Sequence, residues 1–74
     1  MKMTDTARLR EAIAKSGLKL CHLANEIGIT RQQLSKKIEN RVPFNQYEID
    51  GLCRTLGIKS LREKEAIFFA KNVD

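Results

Sequence analysis

Apolar side chains recur along the chain with the three- and four-residue spacing of amphipathic helices. The clearest stripe consists of Leu20, Leu23, Ala24 and Ile27, and it stops at Gly28. Elsewhere residues that favour helix ends interrupt the pattern. The spacing predicts five helices, at residues 6–16, 20–27, 31–40, 46–56 and 61–71.

Capping residues support these boundaries. Side chains that accept hydrogen bonds from first-turn amides precede four of the helices: Thr4 or Asp5, Thr30, Asn45 and Ser60. Asn45 and Ser60 are each followed three residues later by a glutamate, which is the spacing of a capping box. Glycines suited to a left-handed conformation follow three of the helices: Gly17, Gly28 and Gly57.

The pattern predicts an all-α fold, a compact five-helix bundle. No run of β-branched residues alternates with polar ones, and the single proline, Pro43, falls in a loop between the third and fourth helices. No repeat, linker or low-complexity segment divides the chain. We therefore expect residues 1–74 to form one domain.

The segment at about residues 20–40 has the length and punctuation of a helix-turn-helix. Ala24 supplies the small side chain that two crossing helices need, and Gly28 permits the positive φ of a tight turn. Ile29 can fill the gap between the helices. Leu34 and Ile38 lie one turn apart on an otherwise polar second helix, so that its remaining face should point outward.

Charge then narrows the functional classes. The 74 residues include 14 Lys and Arg against 9 Asp and Glu, a net charge of +5. This surplus suits nucleic acid or an anionic membrane surface. Residues 31–41 contain four basic residues and one acidic residue, so +3 of the surplus falls on and just after the second helix of the motif. That distribution favours nucleic acid, whereas no helix opposes a basic face to a bulky apolar one as a membrane-surface helix would.

The cysteines and the histidine, residue types that serve as nucleophiles or metal ligands in many enzymes, do not indicate an enzyme here. Cys21 and Cys53 lack the spacing of a zinc ribbon or a disulfide scaffold, and reduced thiols indicate the cytoplasm. His22 beside Cys21 lacks further ligands at a recognisable spacing, and Cys53 lies on the apolar face of its helix. No motif for a nucleophile or a nucleotide is present, and a chain of this size leaves little room for a substrate cavity. We expect no catalysis, cofactor, metal or small-molecule substrate. We also expect no membrane span, because no run approaches about 20 apolar residues.

Several motifs resemble the lambda-repressor-like, Cro-type helix-turn-helix family. They are Leu23-Ala24, Ile27-Gly28-Ile29-Thr30-Arg31 and Leu34-Ser35-Lys36-Lys37-Ile38-Glu39-Asn40. The later residues Pro43-Phe44, Glu48-Ile49, Leu56-Gly57-Ile58 and Phe68-Phe69 are similar to a compact branch found among phage and prophage regulators. The resemblance covers most of the chain and implies a regulator of transcription that binds double-stranded operator DNA.

The resemblance also implies which residues meet DNA. The family reads bases with the first residues of the second helix and with one or two residues a turn later, which here are Arg31, Gln32, Ser35 and Lys36. The helical wheel adds Gln33. Phosphate contacts are expected from Lys19, Lys37, Asn40 and Arg41. At Leu20 the chain departs from the family, many of whose members have a glutamine there that contacts the DNA backbone.

The C-terminal segment leaves two alternatives open. Its apolar residues are Ile67, Phe68, Phe69 and Val73. They could simply close the core, or they could form a protein-binding surface. Such a surface would suit a homodimer, since a reader of this type commonly addresses two half-sites about 34 Å apart. It would also suit a rival function, in which the protein binds another phage repressor and lifts repression.

Overall fold

The computed structural model describes residues 2–71, which form five helices and one short pair of strands. In chain order the elements are β1 (Lys2–Met3), α1 (Thr6–Ser16), α2 (Leu20–Glu26), α3 (Arg31–Ile38), α4 (Gln46–Leu56), α5 (Leu61–Phe68) and β2 (Ala70–Lys71). The predicted all-α class is confirmed, because the helices supply the core and the strands only join the two ends of the described chain.

The last helix is shorter than the sequence predicts. α5 ends at Phe68, and Phe69 leaves helical geometry with φ −127° and ψ 34°. Ala70 and Lys71 then pair with Met3 and Lys2 in antiparallel register. The prediction of a helix to residue 71, in a chain without strands, is wrong because pairing with the N-terminal residues overrides the local helical pattern.

The other four helices begin at the predicted residues, and α1 and α4 end before the predicted glycines. In contrast, α2 and α3 end at Glu26 and Ile38, short of the predicted residues 27 and 40. Asp5 Oδ1 accepts the backbone N–H of Arg8 at the start of α1. Asn45 and Glu48 form the reciprocal capping box at α4, and Ser60 caps α5. Each cap satisfies first-turn amides that would otherwise have no partner within the helix, a contribution of about 1 kcal/mol.

All five helices contribute to a single apolar cluster. Its most deeply buried large side chains are Leu9, Leu23, Leu34, Ile38 and Leu52. Ile67 and Phe68 of α5 close one side of the cluster, where the ring of Phe68 meets that of Phe44 edge-on at 5.5 Å. α3 therefore has its apolar face held by α1 and α2, the ion pair of Lys37 and Glu48 joins it to α4, and its polar face points away from the core.

The turn between α2 and α3 has the geometry that its sequence predicts. Gly28 has φ 76°, and the N–H groups of Gly28 and Ile29 donate to the carbonyls of Asn25 and Ala24 at 3.2 and 3.0 Å. This Schellman arrangement satisfies carbonyls at the end of α2. Ile29 packs against the core cluster, which fixes the angle at which α3 leaves the turn.

Candidate nucleic-acid interface

The outward face of α3 gathers polar and basic side chains on one surface. Arg31, Gln32, Ser35 and Lys36 line a shallow depression together with Glu39 and Arg41. Arg31, Gln32 and Lys36 are exposed, and Ser35 is half-buried. Four of the five predicted base-reading residues thus lie side by side, with the helix N-terminus at one end of the row.

Gln33, the fifth predicted reader, takes part in the cap of α3. Its Oε1 accepts the backbone N–H of Thr30 at 3.0 Å, while its own N–H donates to Thr30 Oγ1 at 3.1 Å. A glutamine needs both its carbonyl oxygen and its amide group for a bidentate contact with adenine. Gln32, whose neighbours on the surface are Arg31 and Lys36, is therefore better placed than Gln33 to make such a contact.

Lys37 is turned toward the protein and away from the exposed face. Its Nζ donates to both carboxylate oxygens of Glu48 on α4, at 2.5 and 2.6 Å. The two side chains are only 13% and 5% exposed. The same carboxylate accepts the N–H of Asn45 in the α4 capping box. A buried carboxylate thus already holds the ammonium group of Lys37, and a phosphate contact by this residue stays a prediction.

Asn40 also forms hydrogen bonds within the protein that the sequence does not reveal. It adopts φ 64°, and its side chain pairs with the backbone of Thr4: Oδ1 accepts the N–H at 2.9 Å, and Nδ2 donates to the carbonyl at 2.8 Å. Nearby, Thr6 Oγ1 donates to the carbonyl of Ile38 at 2.6 Å. Its amide thus fastens the end of α3 to the N-terminal segment, and a phosphate contact by Asn40 stays a prediction.

Arg41 and Lys19 remain exposed cations near the two ends of the motif. The N–H of Arg41 donates to the carbonyl of Lys36 at 2.9 Å, which holds the arginine close to the last turn of α3. Lys19 directly precedes α2. Leu20, at the position where many members of the resembled family have glutamine, packs against the core cluster.

Ile67 and Phe68 lie in the core, which is the first of the two alternatives for the C-terminal segment. Both are buried, and Phe69 is partly buried against the same cluster. The prediction that Ile67 and Phe68 offer an exposed partner surface is therefore corrected. Val73 lies outside the described residues.

Three residues of this region were missed by reasoning from the sequence. The sequence indicates that Glu48 caps α4, but it does not indicate that Glu48 pairs with Lys37. Arg10 of α1 and Glu39 form an ion pair, with Arg10 Nη2 3.5 Å from Glu39 Oε2. Lys37 lies only about 60° from Leu34 on the helical wheel, at the edge of the apolar stripe, and this was the available signal for an inward-facing cation.

Among the described residues, the cysteines and the other potential metal ligands do not gather into a second site. Across residues 2–71, no three His, Cys, Asp or Glu side chains come together to hold a metal ion. Cys53 is buried, and burial raises the pKa of its thiol. In the same stretch no helix has the length and apolar character needed to cross a membrane.

Two short helices joined by a glycine turn, with the second presenting a basic outward face, define a helix-turn-helix DNA-binding domain. The model of the Cro/C1-type helix-turn-helix DNA-binding domain matches residues 8–61. The chain belongs to this family, which confirms the resemblance seen in the sequence. No curated protein and no solved structure gives a match.

Proposed function

We propose that this DNA-binding domain is a sequence-specific regulator of transcription, a Cro-like phage or prophage repressor that acts by occluding a promoter. The observation that carries the proposal is the row formed by Arg31, Gln32, Ser35 and Lys36 on the exposed face of α3. The opposite face of that helix is buried in the core. A helix held in this way can enter the major groove with its reading side chains already oriented.

The chemistry of the row suits base edges in the major groove. Arginine and lysine donate to O6 and N7 of guanine, and glutamine pairs with N6 and N7 of adenine. Arg31 and Gln32 occupy the first turn of α3, which is the part of the recognition helix that lies deepest in the groove in this class. Ser35 and Lys36 follow one turn later. Each good bidentate contact contributes about 1–3 kcal/mol of discrimination, so two or three readers specify a half-site.

Affinity that does not depend on sequence comes from phosphate contacts. Lys19 before α2 and Arg41 after α3 are exposed and carry the charge for this task. Lys37 and Asn40 act instead by holding α3 in place, through Glu48 and Thr4.

In this proposal the protein regulates by occupancy, without a chemical step, a cofactor or a small-molecule substrate. Two copies bind two half-sites about one helical turn apart as a homodimer. The protein works in the cytoplasm of a bacterial or phage-infected cell.

The rival function, capture of another repressor through the C-terminal apolar residues, has weaker support. Burial of Ile67 and Phe68 removes two of the side chains on which it relies. The exposed basic row of α3 has no part in it. DNA binding that is weak and insensitive to salt, together with a tight complex with a repressor, would favour the rival.

Selection of binding sites from a random duplex library with the purified protein tests the proposal. We expect an enriched sequence composed of two related half-sites, bound by two copies of the chain. Gln32→Ala and Lys36→Ala should each lose affinity for the recovered site. A selection that enriches no sequence would contradict the proposed function.

A further inference from the structure

Glu39 is the only acidic residue in the basic stretch 31–41, and it lies between two arginines. Its Oε1 is 3.3 Å from Arg41 Nε, and its Oε2 is 3.5 Å from Arg10 Nη2. Each carboxylate oxygen therefore holds one guanidinium group. The two arginines come from different parts of the fold, α1 and the loop after α3, and they converge on this one side chain.

The backbone geometry at the end of α3 produces this convergence. Glu39 directly follows the helix, Asn40 takes the left-handed conformation, and the N–H groups of Asn40 and Arg41 return to the carbonyls of Lys37 and Lys36. This Schellman motif turns the chain back toward α3. Arg41 thus lines the same depression as the base-reading row, with Glu39 beside it.

A guanidinium group binds a phosphate with the same donor geometry that it offers to a carboxylate. All three side chains are well exposed, so another anion can replace the carboxylate without unfolding the site. Exposed pairs of this type contribute little to stability and are easily exchanged.

The geometry points to Arg10 and Arg41 as a two-arginine site for a backbone phosphate of double-stranded DNA, with Glu39 occupying the site as an internal competitor in the free protein. This inference rests on the proposed function and adds Arg10 of α1 to the DNA-binding surface. Glu39 then limits the sequence-independent part of the affinity for DNA. The DNA must displace the Glu39 carboxylate from the two arginines before a phosphate can bind there.

The consequence appears in the salt dependence of binding. A protein that neutralises phosphates releases counterions from DNA, and log K falls with log salt by about 0.9 for each phosphate. When Glu39 loses its arginines to DNA, its exposed carboxylate attracts cations from solution, which offsets part of the counterion release. Glu39→Gln abolishes that uptake, so its salt slope should be steeper than that of the wild type, by at most about 0.9.

The test compares Glu39→Gln with Glu65→Gln, which removes the same charge from an exposed position on α5. Both are titrated onto a mixed-sequence duplex of roughly 20 base pairs, two turns of B-DNA, between about 50 and 200 mM salt. We expect Glu39→Gln to bind more tightly than Glu65→Gln. Its advantage over the wild type should shrink as salt rises, by at most about threefold across that range. Arg10→Gln should bind the duplex more weakly than the wild type, because one of the two guanidinium groups at the phosphate is lost.

Other outcomes overturn the inference. Equal affinities and slopes for Glu39→Gln and Glu65→Gln would show only a general effect of charge, and weaker binding by Glu39→Gln would make Glu39 a direct DNA contact. An Arg10→Gln affinity equal to that of the wild type would remove Arg10 from the site. All three results leave the proposed function intact. A wild-type protein with no salt-dependent binding to the duplex would overturn both.

Discussion

Lys37 of α3 and Glu48 of α4 form an ion pair in which the lysine Nζ donates to both carboxylate oxygens. Because both side chains are nearly buried, the pair fixes how the recognition helix lies against α4. Glu48 also accepts the N–H of Asn45, so one carboxylate caps α4 and anchors α3. The orientation of the exposed face of α3, which we propose reads DNA, therefore depends on a buried residue of α4.

Replacing Lys37 should weaken the fold and not merely the affinity for DNA. Lys37→Met leaves the Glu48 carboxylate buried without its cation, which should lower the free energy of unfolding by about 3 kcal/mol. Lys36→Met removes the same charge from the exposed face one residue earlier and should change stability by less than about 0.5 kcal/mol. Urea denaturation of the two variants measures the difference. Equal stabilities would mean that the ion pair does not hold α3.

Asn40 combines two structural requirements that substitutions can separate. Asn40→Gly keeps the left-handed backbone but loses both hydrogen bonds to Thr4, at an expected cost of about 1–2 kcal/mol. Asn40→Ala should lose about 1 kcal/mol more, because a Cβ is disfavoured at φ 64°. Denaturant unfolding of both variants tests this order. Wild-type stability in Asn40→Gly would show that the amide does not fasten the N-terminal segment.

The fold was largely predictable because capping residues and apolar spacing are local properties. The bounds of α1 follow from the cap at Asp5, from Leu9 and Ile13 on one face, and from Gly17. The turn at Gly28 was equally predictable, because a glycine between two apolar stripes indicates a positive φ, and the structure has φ 76° there. The predicted end of the last helix was wrong because β2 pairs with β1. This contact joins the two ends of the described chain, and no local pattern encodes it.

The interface was predictable only in part, for a related reason. Helical spacing gives the direction of a side chain around its own helix, and this placed Arg31, Gln32 and Lys36 outward. It does not say which element lies opposite. Lys37, at the edge of the apolar stripe, could have faced solvent or a carboxylate, and the position of α4 decided between them. Asn40 finds its partner 36 residues away, beyond the reach of any sequence window.

The stability of the protein should depend on pH through Asp50 and Lys64, which join α4 to α5. Hydrogen bonds from Lys64 Nζ at 2.8 Å and from Gln46 Nε2 at 2.9 Å lower the pKa of Asp50 below its ordinary value of 3.8. A lowered pKa means that the carboxylate stabilises the fold above that value, and that this contribution is lost as the pH falls through the folded pKa. The hydrogen bond to Asp50 raises the pKa of Lys64 above 10.5, so the contribution of the lysine is complete below that value and is lost in stronger base.

Thermal denaturation of the wild type and of Asp50→Asn across the acid range tests this linkage. The wild type should be the more stable protein near neutral pH, and the difference in Tm should close as the pH falls below the ordinary value of 3.8. Glu65→Gln serves as a control for the loss of an exposed carboxylate from α5. A difference in Tm that stays constant into acid would contradict the assignment.

In the proposed function the exposed face of α3 reads the DNA sequence, while Arg41 contributes affinity without reading bases. The most direct measurement is the affinity of Gln32→Ala and Arg41→Gln for the selected site and for its single-base variants. Gln32→Ala should lose about 1–3 kcal/mol of discrimination at one or two adjacent base pairs and keep the other preferences, whereas Arg41→Gln should weaken binding to every variant alike. Unchanged base preferences in Gln32→Ala, or relaxed ones in Arg41→Gln, would contradict the account.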